Sequence, residues 1–324
     1  MLRLPRFEYV KPSSLNDAIR LRTEHLDSSM YVAGGTDVYP KMKRRQFQPK
    51  YLISLAAVVD SGITVQTQGT SIGAGTTLTS VASDPTIRAQ YTALAEAAHL
   101  VSTPQLRNMG TIGGNVCLDT RCNWYDQSLF WRTAEGFCMK THGDVVCRVA
   151  TSSPRCLAVA SADTVPALIA LRASIYIHRS NESRSLFIAD CYRDDGIRYI
   201  TLEPGDVVTR VMLPPSEGWR STYLKQRDRG SFDFPIAGVA AAVQWDGGLV
   251  KDARIAITAL GSRPVVVDAT PLVGTKLDDD AISAVADAAH KAARPMDNTS
   301  GTISQRKRAA RVFTERALRS LRDA

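Results

Sequence analysis

Cys122, Cys138, Cys147 and Cys156 fall within one stretch, RCNWYDQSLFWRTAEGFCMKTHGDVVCRVATSSPRC at 121–156, of a 324-residue chain with six cysteines in all. Four thiolates are the donor set of a tetrahedral zinc ion or of an iron–sulfur cluster. Fifteen, eight and eight residues separate them, so no two form the close C-x2-4-C pairs usual in zinc fingers and ribbons. The same stretch carries Trp124, Tyr125, Phe130, Trp131 and Phe137, apolar surfaces that can keep water from a cluster and help set its potential. Spacing alone leaves an iron–sulfur cluster, a zinc ion and plain burial open.

Two glycine-rich segments flank this stretch on its N-terminal side, AGGTDVYPK at 33–41 and GTIGGNVCLDT at 110–120. Glycine permits positive φ and close approach of the main chain to a ligand, and successive amides in such a turn form a concave anion site. Two such loops suit a diphosphate better than a single phosphate, although each Gly-Gly pair alone is an ordinary turn signal. Neither matches G-x-G-x-x-G or the P-loop, which leaves a Rossmann or nucleoside-triphosphatase reading without support. GAGTT at 73–77 reads as a turn between strands. The five histidines, His99 and His142 among them, are scattered, and no acid/base or nucleophile constellation emerges, so no catalytic residue is assigned.

The elements that must carry these loops mix strands and helices without strict alternation, which predicts an α+β fold. Up to about residue 55 the pattern is strand, helix, strand, loop, with Ser14 as N-cap of a helix over LNDAIRL. GITVQT, TSIGAG and ASIYIH predict strands, and PTIRAQYTALAEAAHL a helix. From VVTRVMLPP onward come strands at GVAAAVQW and ARIAITAL, then helices at DDDAISAVADAAHKAA and the C-terminus. No internal repeat or low-complexity tract interrupts the chain.

With 44% hydrophobic and 22% charged residues the composition is that of a globular protein, long enough for two or three cores. MLRLPRFEYVKPSS lacks the apolar core of a secretory signal, and no apolar run reaches spanning length, which predicts a cytoplasmic protein with no membrane partner. In a reducing cytoplasm structural disulfides are disfavoured. The net charge of +8 owes much to RKRAARVFTERALRSLR at 306–322, where seven basic residues face one acidic. Apolar residues recur there at helical spacing, so the segment reads as an amphipathic helix with a solvated basic face; a docking face for an acidic partner is the alternative, and no nucleic-acid motif accompanies it.

Taken in order, YVAGGTDVYPKMKRR, TPQLRNMGTIGGNV, ADTVPALIALRASI and YLKQRDRGSFDFPIAGVAAAV resemble the FAD-binding subunit of the xanthine oxidase family of molybdenum enzymes over nearly the whole chain. That resemblance implies a two-part FAD-binding domain of the PCMH/CO-dehydrogenase flavoprotein type over 1–210, with an N-terminal subdomain to about 55, and a C-terminal α+β domain over 211–324. It implies that the amides of Ala33, Gly34, Gly35, Thr36, Asp37 and Val38 wrap the FAD diphosphate, and that Thr111, Gly114 and Asn115 also reach the cofactor. It places Asp163 at the adenosine half, where a carboxylate can accept ribose hydroxyls, and Lys225 near the pyrimidine edge of the flavin, where a cation favours the anionic reduced ring. By local sequence alone Asp163 is equally a helix N-cap and Lys225 a surface lysine.

Relatives have far fewer residues than the 47 that separate Asn115 from Asp163 here, so the cysteines sit on an insertion at about 117–157. Such an insertion resembles the 4-hydroxybenzoyl-CoA reductase branch of the family, in which C-x-D-T-R-C and three further cysteines bind a [4Fe–4S] cluster. CLDTRC at 117–122 fits, implying Cys122, Cys138, Cys147 and Cys156 as ligands, with Cys117 packed near the flavin and Cys191 a buried small residue. Cys117 as a ligand in place of one later cysteine stays open. The branch implies electrons passing from ferredoxin through [4Fe–4S] and FAD to the [2Fe–2S] clusters of a small partner and the molybdenum cofactor of a large one, in a dimer of heterotrimers that reductively dehydroxylates 4-hydroxybenzoyl-CoA to benzoyl-CoA. The alternatives are a related molybdenum enzyme acting on another aromatic or N-heterocycle, and a zinc-stabilised interaction scaffold.

Overall fold

The computed structural model describes residues 2–180 and 182–323. Three sheets organise them, and the fold is α+β as expected. The first sheet is parallel, with Tyr51–Ser54 between Glu8–Val10 and Ser29–Val32. Parallel neighbours need crossovers, since a tight hairpin turn joins only antiparallel strands. The first crossover is helix Leu15–Glu24, whose N-cap Ser14 accepts from the Asp17 amide at 3.1 Å. The second, from 33 to 50, contains the first glycine loop and helix Val38–Lys43. The loop therefore leaves the carboxyl end of a parallel strand, the end at which open sheets bind ligands.

The second sheet has five strands, Ile63–Gln66, Gly69–Gly73, Val207–Leu213, Ser174–Arg179 and Glu182–Phe187, in that spatial order and all antiparallel. Its central strand, Val207–Leu213, runs across the division expected at 210/211. Ile72, Ile175, Val211 and Leu213 share a core with Leu94, Ile112, Val116 and Leu168 from the helices and loops above them. The helix expected over 85–100 is two, Pro85–Gln90 and Thr92–Leu100. Tyr91 breaks it at φ −133°, ψ 52°, because its buried ring turns inward and its hydroxyl donates to the Pro214 carbonyl at 2.8 Å.

The third sheet joins Trp219–Gln226, Ala237–Asp246, Leu249–Thr258 and Val265–Val267 antiparallel. Side chains alternate across a strand, and here both faces are buried. Val239, Ala241 and Val243 meet helices Asp279–Ala292 and Ile303–Arg322. Ala240 and Ala242, with Tyr223, meet Ala93 and Ala97 of helix Thr92–Leu100 and Ala167 and Ala170 of helix Thr164–Ala170. The alanines in GVAAAV let helix and sheet backbones come close, and they explain why the strand reads as unbroken apolar sequence.

The basic C-terminal helix is only partly solvated. Arg311 pairs with Asp287 at 2.6 Å and Arg322 with Asp279 at 2.9 Å, both on the preceding helix. Arg306 is fully buried and donates to the carbonyls of Met296 at 2.7 Å, Ile236 at 3.4 Å and Ala259. Burial pushes its guanidinium down to about 10, and its three hydrogen bonds clasp three separate chain segments together. Arg306→Ala removes a donor from three carbonyls and leaves a void, and is expected to lower the unfolding free energy by about 3 kcal/mol. Chemical denaturation with an unchanged midpoint would refute that role.

Candidate functional site

The first loop is shaped by contact with the second. Gly35 adopts φ +72°, and a Cβ on Gly34 would lie 1.8 Å from the Met109 carbonyl oxygen. The two glycine segments thus touch main chain to main chain. Among the described residues, no hydrogen bond engages the amides of Ala33, Gly34, Gly35, Thr36, Asp37 or Val38, and Asp37 makes no side-chain cap to the following helix. A run of unpaired donors in a left-handed turn is a concave anion site. It fits the diphosphate of FAD on the chemistry of its donors.

The second loop is committed elsewhere. Thr111 caps the short helix Ile112–Val116, accepting from the Gly114 amide at 3.1 Å. The amides of Ile112 and Gly113 donate to the Thr76 and Ala74 carbonyls, both at 2.9 Å, and that of Asn115 to the Thr111 carbonyl at 2.9 Å. The Asn115 side-chain oxygen accepts from the Thr164 amide at 3.2 Å and the Thr164 hydroxyl at 2.6 Å. Forming a helix uses the amides that the resemblance gave to the cofactor. What remains toward the open surface is Gly114, where an added Cβ would meet only the Thr111 hydroxyl, at 3.1 Å.

Asp163 does not cap helix Thr164–Ala170. Its carboxylate accepts from the Tyr223 hydroxyl at 2.8 Å and from Lys225 Nζ at 2.9 Å, and Lys225 also donates to the Leu100 carbonyl at 3.0 Å. Burial pushes the Asp163 carboxyl up against the pull of Lys225, and burial likewise pushes the Lys225 ammonium down against the pull of Asp163. The two residues that the resemblance assigns to different halves of FAD form one buried pair, so Lys225 is no surface lysine.

The four clustered cysteines converge. Cys122, Cys138, Cys147 and Cys156 are all buried and line one small cavity, together with Trp124 and Tyr125. Of the other aromatics, Phe130 is 86% exposed and Phe137 packs on His142 at 3.9 Å. Burial pushes the Cys122 thiol up to about 12 and the Cys156 thiol up to about 11, so thiolates in this cavity need a bound cation to compensate them. Sulfurs on one zinc ion stand roughly 3.8 Å apart for 2.3 Å bonds in tetrahedral geometry. Among the described residues no group of three or more Cys, His, Asp or Glu is gathered closely enough to hold a metal ion. Four cysteine side chains around one cavity are the donor set of either a zinc ion or an iron–sulfur cluster. Cys117 lies outside this set, packed with buried Cys191 against the core of the FAD domain.

Residues that the motifs did not single out complete the site. Gly196 closes over Cys156, where a Cβ would lie 2.7 Å from the sulfur. Arg121 reaches Asp37 in the first loop, and Asp119 accepts from Lys41, Lys140 and Tyr125. Lys41, four residues after Asp37 and on its helix face, was visible in sequence only as a basic residue of the loop motif.

Gly34→Ala pushes the two loops apart, and is expected to weaken FAD binding by tenfold or more in a fluorescence titration, whereas Gly114→Ala changes it far less; equal effects would remove the first loop from the site. Comparison with known proteins shows the family. Residues 5–216 match the family described as the FAD binding domain in molybdopterin dehydrogenase, and 222–321 the CO dehydrogenase flavoprotein C-terminal domain. The chain is 27% identical to the carbon monoxide dehydrogenase medium chain of Hydrogenophaga pseudoflava, over 97% of this chain and 96% of that one. It is 29% identical to the aldehyde oxidoreductase FAD-binding subunit PaoB of Escherichia coli K12, over 77% and 80%. The solved carbon monoxide dehydrogenase of H. pseudoflava superposes with a TM-score of 0.81 at 26% identity, over 99% of each chain. No helix among the described residues is long and apolar enough to cross a membrane. The chain is therefore a member of the FAD-binding medium subunits of the carbon monoxide dehydrogenase and xanthine oxidase family of molybdenum enzymes.

Proposed function

We propose that this chain is the electron-transfer subunit of a 4-hydroxybenzoyl-CoA reductase, holding FAD at the glycine loops and a [4Fe–4S] cluster on Cys122, Cys138, Cys147 and Cys156. The observation that carries the reading is the convergence of four buried thiols on one cavity within the insertion between Asn115 and Asp163. Bound flavin supplies exchange of electrons singly or in pairs, which suits a subunit standing between one-electron centres. In this reading the amides of Ala33 to Val38 bind the diphosphate, while Thr111, Gly114 and Asn115 support the loop that closes over it. Asp163 fixes Lys225, and Lys225 places positive charge by the ring. The insertion's turns aim the cysteines: the Cys122 carbonyl accepts from the Tyr125 and Asp126 amides at 2.9 and 2.8 Å, and the Cys138 carbonyl from Thr141 and His142 at 2.9 Å.

Ferredoxin is the proposed donor, with a large molybdenum subunit and a small [2Fe–2S] subunit as partners. Placing an electron on an aromatic thioester needs a strong reductant, and a cluster in the flavin subunit offers a one-electron entry point. The test is iron, acid-labile sulfide and flavin per chain in the anaerobically purified complex, after subtracting the small subunit. About four extra irons with one FAD are expected. Zinc, or no extra metal, would remove the cluster and the reductase assignment but leave the flavin subunit. Cys147→Ser is expected to lose that iron while the chain still binds FAD, though more weakly.

A further inference from the structure

Between the cysteine cavity and the first glycine loop lies a continuous buried network centred on Asp119. One carboxylate oxygen accepts from Lys140 at 2.7 Å, and the other from Lys41 and, at 3.2 Å, from the Tyr125 hydroxyl. The Lys41 side chain is fully buried, and those of Lys140 and Asp119 are 7% and 12% exposed. The Tyr125 ring lies close to both ammonium groups, 5.0 Å from Lys41 and 4.7 Å from Lys140. Lys140 and Tyr125 line the cysteine cavity, and Lys140 also donates at 2.6 Å to the carbonyl of Gly196, the residue that closes over Cys156. At the other end, Lys41 belongs to the helix that follows the free amides of the first loop and lies 3.8 Å from Asp37, which Arg121 also holds. Arg121 and Arg44 then share Asp126 at 3.8 and 3.5 Å.

Along these contacts four cations, Lys41, Arg44, Arg121 and Lys140, face three carboxylates, Asp37, Asp119 and Asp126. Asp37, Arg44 and Asp126 are partly exposed, but Lys41 is fully buried, and excess positive charge around a buried ammonium is costly unless an anion compensates it. Anions fit at both of its ends: a thiolate-ligated cluster beside Lys140, and a diphosphate at the loop that Lys41 and Asp37 support. We propose that Asp119 and Lys140 are positioning residues that couple the two sites, so that an occupied cysteine cavity strengthens FAD binding and bound FAD strengthens cluster retention. The inference rests on the cluster reading above. With the cavity filled, Lys140 and Tyr125 are fixed, Asp119 is held between them, and Lys41 anchors the helix behind the loop. Without the cluster that anchor loosens, and ordering the loop consumes binding energy. Such coupling is reciprocal by thermodynamic necessity.

The experiment measures the FAD dissociation constant of the full-length chain, cluster-loaded and after anaerobic iron chelation, for wild type and for the Asp119→Asn, Lys140→Met and Lys140→Arg variants. Circular dichroism checks that each is folded. Wild type is expected to bind FAD at least about fivefold more weakly after chelation. Asp119→Asn and Lys140→Met are expected to bring the two constants together, and Lys140→Arg to keep them apart. An unchanged wild-type constant, or an undiminished difference in both Asp119→Asn and Lys140→Met, overturns the coupling while iron analysis still reports a cluster. Absence of iron from the anaerobic protein overturns the cluster reading and the coupling together.

Discussion

The arrangement depends on a contact that leaves no room for a side chain: the main chain at Gly34 lies directly against the Met109 carbonyl. One loop belongs to a small parallel sheet and the other to the layer above the five-stranded sheet. Their contact fixes the two subdomains at the point where the free amides gather. Gly113 repeats the constraint one layer down, since a Cβ there would come within 2.7 Å of Ala74. Glycine at these positions serves close approach as much as turn geometry, which is how a short loop can stay open to a ligand while its flanks are rigid.

Electrostatics then divides the labour. The Asp163–Lys225 pair and the Asp119 cluster are both buried and both joined by hydrogen bonds to neutral groups, Tyr223 and the Leu100 carbonyl in one and Tyr125 in the other. Buried pairs of this kind add little net stability, but removing one partner is costly. Their value lies in fixing geometry, one pair beside the C-terminal domain and the other between the insertion and the first loop.

The sequence made some of this legible and hid the rest for physical reasons. AGGTD and TIGGN stood out because few residues tolerate such backbone, and the order of four motifs extended that local signal to the α+β fold. The cysteine spacing did not reveal its geometry, because separations of fifteen, eight and eight residues match no compact ligand pattern. Asp163 fitted an N-cap locally; its partner lies 62 residues away. Lys41 and Asp119 are 78 residues apart and read as ordinary charged residues until the fold buries them together. The split of the 85–100 helix at Tyr91 likewise depends on a carbonyl 123 residues away. Periodicity sees faces, not partners.

Strand order also governs the sequence of events during synthesis. Val207–Leu213 is the last strand of its sheet to leave the ribosome and the one that sits in the middle. Until it arrives, Gly69–Gly73 and Ser174–Arg179 each lack a neighbour on their inner side. Every cysteine in the chain has emerged by then, on a half-domain that has not closed. Nascent thiols in that interval are open to oxidation and to stray metals, and the time the cell takes to add the next few dozen residues sets the window in which they must be kept reduced.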